Sequence, residues 1–205
     1  MALSYLALGD SYTIGEAVAV EGRWPHQLAA ALRAQGVDLA DPQTIATTGW
    51  TTDELDAAID LASPLGPFDF VSLLIGVNNQ YRGRPLDEYR AQFEALLQRA
   101  IGFAAGRPER VLVLSFPDWG ATPFGAGSGR DLAAIEIETD EFNAAAEVIS
   151  TQHNVAFVDI TDISRAQGDD PAMIAEDGLH PSARMYALWS ERALPVAAHL
   201  LGRAD

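Results

Sequence analysis

Four short blocks of this sequence carry side chains suited to one reaction. Gly9-Asp10-Ser11 follows the apolar run Leu3 to Leu8. A serine at such a strand-to-helix turn can present its hydroxyl while its own backbone N–H faces the same space, and the start of a helix favours developing negative charge. Near the other end stands Asp177-Gly178-Leu179-His180-Pro181. That spacing lets the Asp177 carboxylate accept from one nitrogen of His180 and leaves the other to take a serine proton. Between them, Ile75-Gly76-Val77-Asn78-Asn79 ends a strongly apolar run in two amides, and an asparagine at a strand's carboxyl end can donate to an oxyanion. In Thr48-Gly49-Trp50 a glycine permits close backbone approach, so the Gly49 N–H could be a further donor. Each block alone also has a plain reading. Ser and Asp cap helices, Gly and Asn favour turns, and Asp177 could simply cap the helix that follows. His26, His153 and His199 lack an acidic partner of this kind and are read as structural or solvent-facing.

The elements that must position these blocks are legible in the hydrophobic pattern. Apolar runs bounded by turn signals, Leu3 to Leu8, Thr44 to Thr47, Phe68 to Ile75, Arg110 to Phe116 and Val155 to Ile160, suit strands buried on both faces of a parallel sheet. Amphipathic stretches lie between them: Trp24 to Gln35, Thr52 to Leu61, Leu86 to Ala105, Leu132 to Gln152 and Pro181 to Leu200. This alternation predicts βαβ units and a three-layer α/β/α sandwich, one domain over residues 1–205. Two stretches read as irregular. Pro117 to Arg130, rich in Gly and Pro, is expected to be an active-site loop, because ligands in open α/β sheets bind beyond the carboxyl ends of the strands. The other is Thr161 to Gly178. Trp50, Tyr81, Trp119 and Phe124 fall on expected loops and could wall a small pocket or seal those loops against the core.

Composition removes several chemistries. The chain has 205 residues, 13 basic and 29 acidic, and a net charge of −16. Nucleic acid and anionic membrane surfaces would be repelled. It has no cysteine, hence no thiol nucleophile or disulfide, and every basic residue is arginine, which excludes P-loop and Schiff-base lysines. A flavin or nucleotide site is disfavoured because Gly9-Asp10-Ser11-Tyr12-Thr13-Ile14-Gly15 places an acid where phosphate would lie. Asp169, Asp170, Glu176 and Asp177 gather near His180, but without a second histidine they read as a solvated acidic loop, not a metal site. With no long apolar segment, membrane insertion is not expected, and a cytoplasmic location is.

Taken in order, Gly-Asp-Ser near the amino terminus, an isolated Gly, Gly-x-Asn and a late Asp-x-x-His resemble the four signature blocks of the SGNH hydrolases, a subgroup of the GDSL esterases and lipases. The resemblance runs from Gly9 to His180. It implies a flavodoxin-like parallel sheet of about five strands and no cofactor. It also implies a serine esterase acting on small-molecule carboxylic esters: Ser11 the nucleophile, His180 the base, Asp177 its orienting acid, and an oxyanion hole of Ser11, Gly49 and Asn78. Similar proteins act on acetylated sugars, lysophospholipids, aryl esters and thioesters, or transfer acyl groups to alcohols, and a silent relative could merely bind a ligand. The sequence is silent on oligomeric state. One departure stands out. The family's Gly-x-Asn is commonly followed by Asp, whereas here Asn79 follows, which leaves the hydrogen-bond support of that loop open. No long apolar lid is visible, so short acyl groups are expected.

Overall fold

The computed structural model describes residues 2–63 and 65–202. Five strands, β1 (Tyr5–Gly9), β2 (Gln43–Ala46), β3 (Phe70–Leu74), β4 (Val111–Leu114) and β5 (Ala156–Val158), form one parallel sheet in the order β2-β1-β3-β4-β5. This is the expected three-layer α/β architecture. β1, β3 and β4 are buried throughout, whereas the edge strands β2 and β5 are only partly covered. Continuous apolar runs such as Tyr5-Leu6-Ala7-Leu8 are what two covered faces demand.

The longer helices are α2 (Trp24–Ala34), α3 (Thr52–Ala62), α5 (Leu86–Phe103), α7 (Leu132–Gln152) and α9 (Ala183–Leu200); short ones are α1 (Ser11–Ile14), α4 (Val77–Tyr81), α6 (Pro123–Gly127) and α8 (Thr161–Gln167). α2 packs against α9, while α5 packs against both α3 and α7. Right-handed crossovers account for this pairing. The chain steps one way from β1 to β2 and the other way from β2 to β3, so α2 and α3 fall on opposite faces. The carboxyl end of β1 is therefore the switch point, where loops diverge and a cleft opens. None of the described helices is long and apolar enough to cross a membrane.

Two sequence expectations are corrected. Pro117 to Arg130 is not a plain loop. Trp119–Ala121 forms a 3-10 turn, and Pro123 starts α6, with Thr122 Oγ1 accepting from Gly125 N–H at 3.1 Å. Pro at the first helical position is favourable, so the composition that signalled a loop also suits a helix start. Thr161 to Gly178 likewise opens with α8, seven residues and too short for a clear period.

At the end of β1 a close approach matters more than torsion. A Cβ on Gly9 would sit 2.4 Å from the Leu74 carbonyl oxygen of β3 and 2.2 Å from Thr13 Oγ1. Gly9→Ala is therefore expected to destabilise the fold by about 1–3 kcal/mol through overpacking, read by urea unfolding; unchanged stability would mean that the β1–β3 contact is looser than described.

Candidate active site

β1 delivers the nucleophile candidate directly. Asp10 caps α1, its Oδ1 accepting from Tyr12 N–H at 3.0 Å, and Ser11 is the first residue of that helix. Ser11 is 4% exposed, and what remains opens on a cavity. Asp10 is fully buried and its Oδ2 has no hydrogen-bond partner. Burial pushes its carboxyl up to about 7, against the pull of the Tyr12 N–H.

The histidine sits on a turn tied down at both sides. Ile174 and Pro181 form an antiparallel bridge, Ala175 N–H donates to the His180 carbonyl at 2.7 Å, and Phe124 N–H donates to the Gly178 carbonyl at 2.9 Å. Asp177 spends both oxygens within this turn. Oδ1 accepts from the N–H groups of Leu179 and His180, each at 2.9 Å, and Oδ2 lies 2.6 Å from His180 Nδ1. Partial burial raises the Asp177 carboxyl, but those hydrogen bonds outweigh it and hold it below the usual range. An ionised carboxylate can only accept, so the proton of that bond sits on Nδ1, which leaves Nε2 as the nitrogen able to exchange a proton with the cavity. The Tyr12 ring, 5.6 Å away between centroids, walls the imidazole on its inner side. Ser11 and His180 line the same cavity, with no direct hydrogen bond between them.

Gly49 and Asn78 line it too. Gly49 has φ +88°, a conformation that a side chain would strain, although a Cβ there would meet nothing closer than Arg82 Nη2 at 3.7 Å. Its carbonyl accepts from Arg82 Nη2 at 2.6 Å. Asn78 Nδ2 donates to the Trp50 carbonyl at 2.9 Å, which orients the amide and leaves its second N–H for a ligand. Asn79 answers the question raised by its departure from the common Asp. It is fully buried, its Oδ1 accepts from Thr52 N–H at 3.1 Å, and its Nδ2 donates to Thr52 Oγ1 at 2.7 Å. Thr52 Oγ1 in turn donates to Gln92 Oε1 at 2.5 Å. The amide supplies a donor that an ionised carboxylate would lack.

The cavity has a volume of about 180 Å³. Tyr81, Trp119 and Phe124 form one wall, with ring centroids 5.2 to 6.4 Å apart. Trp50 is not part of that wall; it packs against the core and faces the site through its carbonyl. Sequence reasoning passed over Tyr12 and Gln80. Tyr12 backs His180, and Gln80, buried, accepts from Trp119 Nε1 at 2.7 Å. Buried polar contacts of this kind leave no periodic signal in a sequence.

Asp10 has a measurable consequence for stability. In the unfolded chain its carboxyl ionises near pH 4, whereas in the fold it keeps its proton to about pH 7. The folded state thus holds more protons between these values, and stability from this group falls as pH rises through that window. Asp10→Asn cannot titrate, so its stability relative to the wild type should improve from pH 5 to pH 8. Urea unfolding at both pH values reads this, and an equal gap at both would refute the shift.

The whole chain can now be set against known proteins. The family model described as the GDSL-like lipase/acylhydrolase family matches residues 7–188. No curated protein matches by sequence. Among solved structures, that of TesA aligns with a TM-score of 0.73 at 19% identity, covering 96% of this chain and 99% of the other. The psychrotrophic esterase EstA from Pseudoalteromonas sp., in a form inhibited by monoethylphosphonate, aligns at 0.70 and 16%, covering 98% and 99%. The acetylxylan esterase Axe2 from Geobacillus stearothermophilus aligns at 0.70 and 19%, covering 98% and 95%. At these identities the likeness is one of fold, whereas the family match rests on sequence: this chain belongs to the GDSL-like lipase/acylhydrolase family.

Proposed function

We propose that this protein is a serine esterase that hydrolyses carboxylic esters with short acyl groups through an acyl-enzyme on Ser11. The observation that carries the reading is the His180 turn. A histidine whose Nδ1 is committed to an ionised Asp177 lines the same small cavity as Ser11. Ser11 Oγ attacks the ester carbonyl as its proton passes to His180 Nε2, a hydrogen bond expected to close when substrate binds. The tetrahedral oxyanion takes donors from the Ser11 and Gly49 backbone N–H groups and the second N–H of Asn78. His180 then returns the proton to the leaving alcohol oxygen as the C–O bond breaks. Water, deprotonated by the same Nε2, releases the acid and restores Ser11.

The acyl preference rests on size. Pockets for drug-sized ligands hold roughly 300–1,000 Å³, and this one about 180 Å³. Three aromatic rings close its side. Acetyl esters, including acetylated sugars, are the smallest case, and an acetylxylan esterase is among the similar folds.

Three measurements test this. Ser11→Ala and His180→Ala should each cost several orders of magnitude in kcat, with little further loss in the double variant, because the pair acts as a unit. Asn78→Ala should lower kcat about 10²–10³-fold with little change in KM. Near-normal turnover in Ser11→Ala would remove the nucleophile assignment. On a p-nitrophenyl series below micelle-forming concentrations, kcat/KM should peak from acetyl to butyryl and fall beyond about six carbons, as a small pocket requires; a maximum at about eight or more would overturn the short-acyl reading alone.

A further inference from the structure

We propose that Gln80 is a positioning residue that sets acyl-chain selectivity by locking Trp119, the buried ring of the pocket wall, in place. The inference rests on the short-acyl esterase reading and concerns a group that does not touch the reacting atoms.

Gln80 is 1% exposed, yet both ends of its amide are used. Oε1 accepts from Trp119 Nε1–H at 2.7 Å, and Nε2 donates to Glu138 Oε2 at 2.6 Å. An indole N–H can only donate and a carboxylate can only accept, so the group between them must offer an acceptor and a donor one amide width apart. Glu138 Oε2 also takes Arg130 Nη2 at 2.9 Å, and the Arg130 guanidinium carbon stands 5.3 Å from the Trp119 ring centroid. The contacts therefore close a circuit, from Trp119 to Gln80 to Glu138 to Arg130 and back to the face of Trp119. Its members come from α4, from the segments flanking α6, and from α7.

Trp119 is 2% exposed, whereas its wall neighbours Tyr81 and Phe124 are 48% and 38% exposed at the mouth. The two outer rings can yield to a longer acyl chain. Trp119 cannot move without leaving a buried N–H unpaired and separating the cation from its ring. Pocket depth is thus set by a hydrogen-bond circuit behind the wall as well as by the wall itself.

The test uses the full chain and three variants. Gln80→Met keeps the length of the side chain and removes both hydrogen bonds, Gln80→Glu opposes two carboxylates, and Gln80→Glu with Glu138→Gln exchanges the partners. One readout is the Trp119 indole signal in a nitrogen–proton correlation spectrum, assigned with Trp119→Phe among the four tryptophans. The other is the ratio of kcat/KM for p-nitrophenyl hexanoate to that for the acetate. Gln80→Met and Gln80→Glu should each move the Trp119 indole signal and raise the ratio about 10-fold, the discrimination a pocket exerts on a methylene, mainly through the KM for hexanoate. The exchange should restore the ratio to within about twofold of the wild type, as coupled partners do. An indole signal unmoved in Gln80→Met would mean that the circuit does not hold Trp119. A moved signal with an unchanged ratio, or no recovery in the exchange, would overturn the selectivity role. A wild-type profile that peaks at long chains would end the short-acyl reading and this role with it, while the indole signal would still report whether the circuit exists.

Discussion

Two adjacent amides impose the constraint on which the carboxyl edge of the sheet depends. A buried polar side chain must find partners on other elements or cost the fold dearly. Asn79 finds both of its partners on Thr52, at the start of α3, and Asn78 finds one on the Trp50 carbonyl just before it. These bonds join the loop after β2 to the helix after β3. Because the sheet order is β2-β1-β3, they pass over the carboxyl end of β1, where Ser11 emerges. The oxyanion donors proposed for Gly49 and Asn78 are brought to the serine by the same links that hold the two loops together.

Environment divides the two carboxylates nearest the proposed chemistry. Asp10 lies in the core with one oxygen unpartnered, so burial dominates and favours its neutral form up to about pH 7. Asp177 sits in a half-open turn with three N–H groups pointed at it, so hydrogen bonds dominate and favour its charge. The pattern of one protonated and one ionised carboxyl set apart by surroundings is how a single fold assigns different duties to identical side chains. Only the ionised one is placed to orient an imidazole.

The histidine turn is local in its bonding and distant in its docking. Asp177, Leu179 and His180 organise one another across three positions, but the turn reaches the serine because Phe124 N–H holds the Gly178 carbonyl and the Tyr12 ring packs on the imidazole. The segment after β4 therefore has two tasks. It pins the His180 turn, the proposed base, on one side and supplies Trp119 and Phe124 to the cavity wall on the other.

Much of this was determined by the sequence alone. Five apolar runs and five amphipathic stretches placed every strand and every long helix to within a few residues, because burial on both faces of a parallel sheet leaves a continuous hydrophobic signature. The four polar blocks were legible because each follows a strand or starts a helix, where few residue types fit. The short helices α4, α6 and α8 were not, since a helix of one or two turns has no period to read and Pro or Gly suits either state. Nor could the sequence show that Asn79 would be satisfied by Thr52, that Trp50 would offer its carbonyl and not its ring, or that Gln80 would be buried between an indole and a carboxylate. Those outcomes depend on which loops meet across the sheet edge. Periodicity reports the face a residue turns to its own element; only the packed tertiary structure decides what polar group waits on the other side.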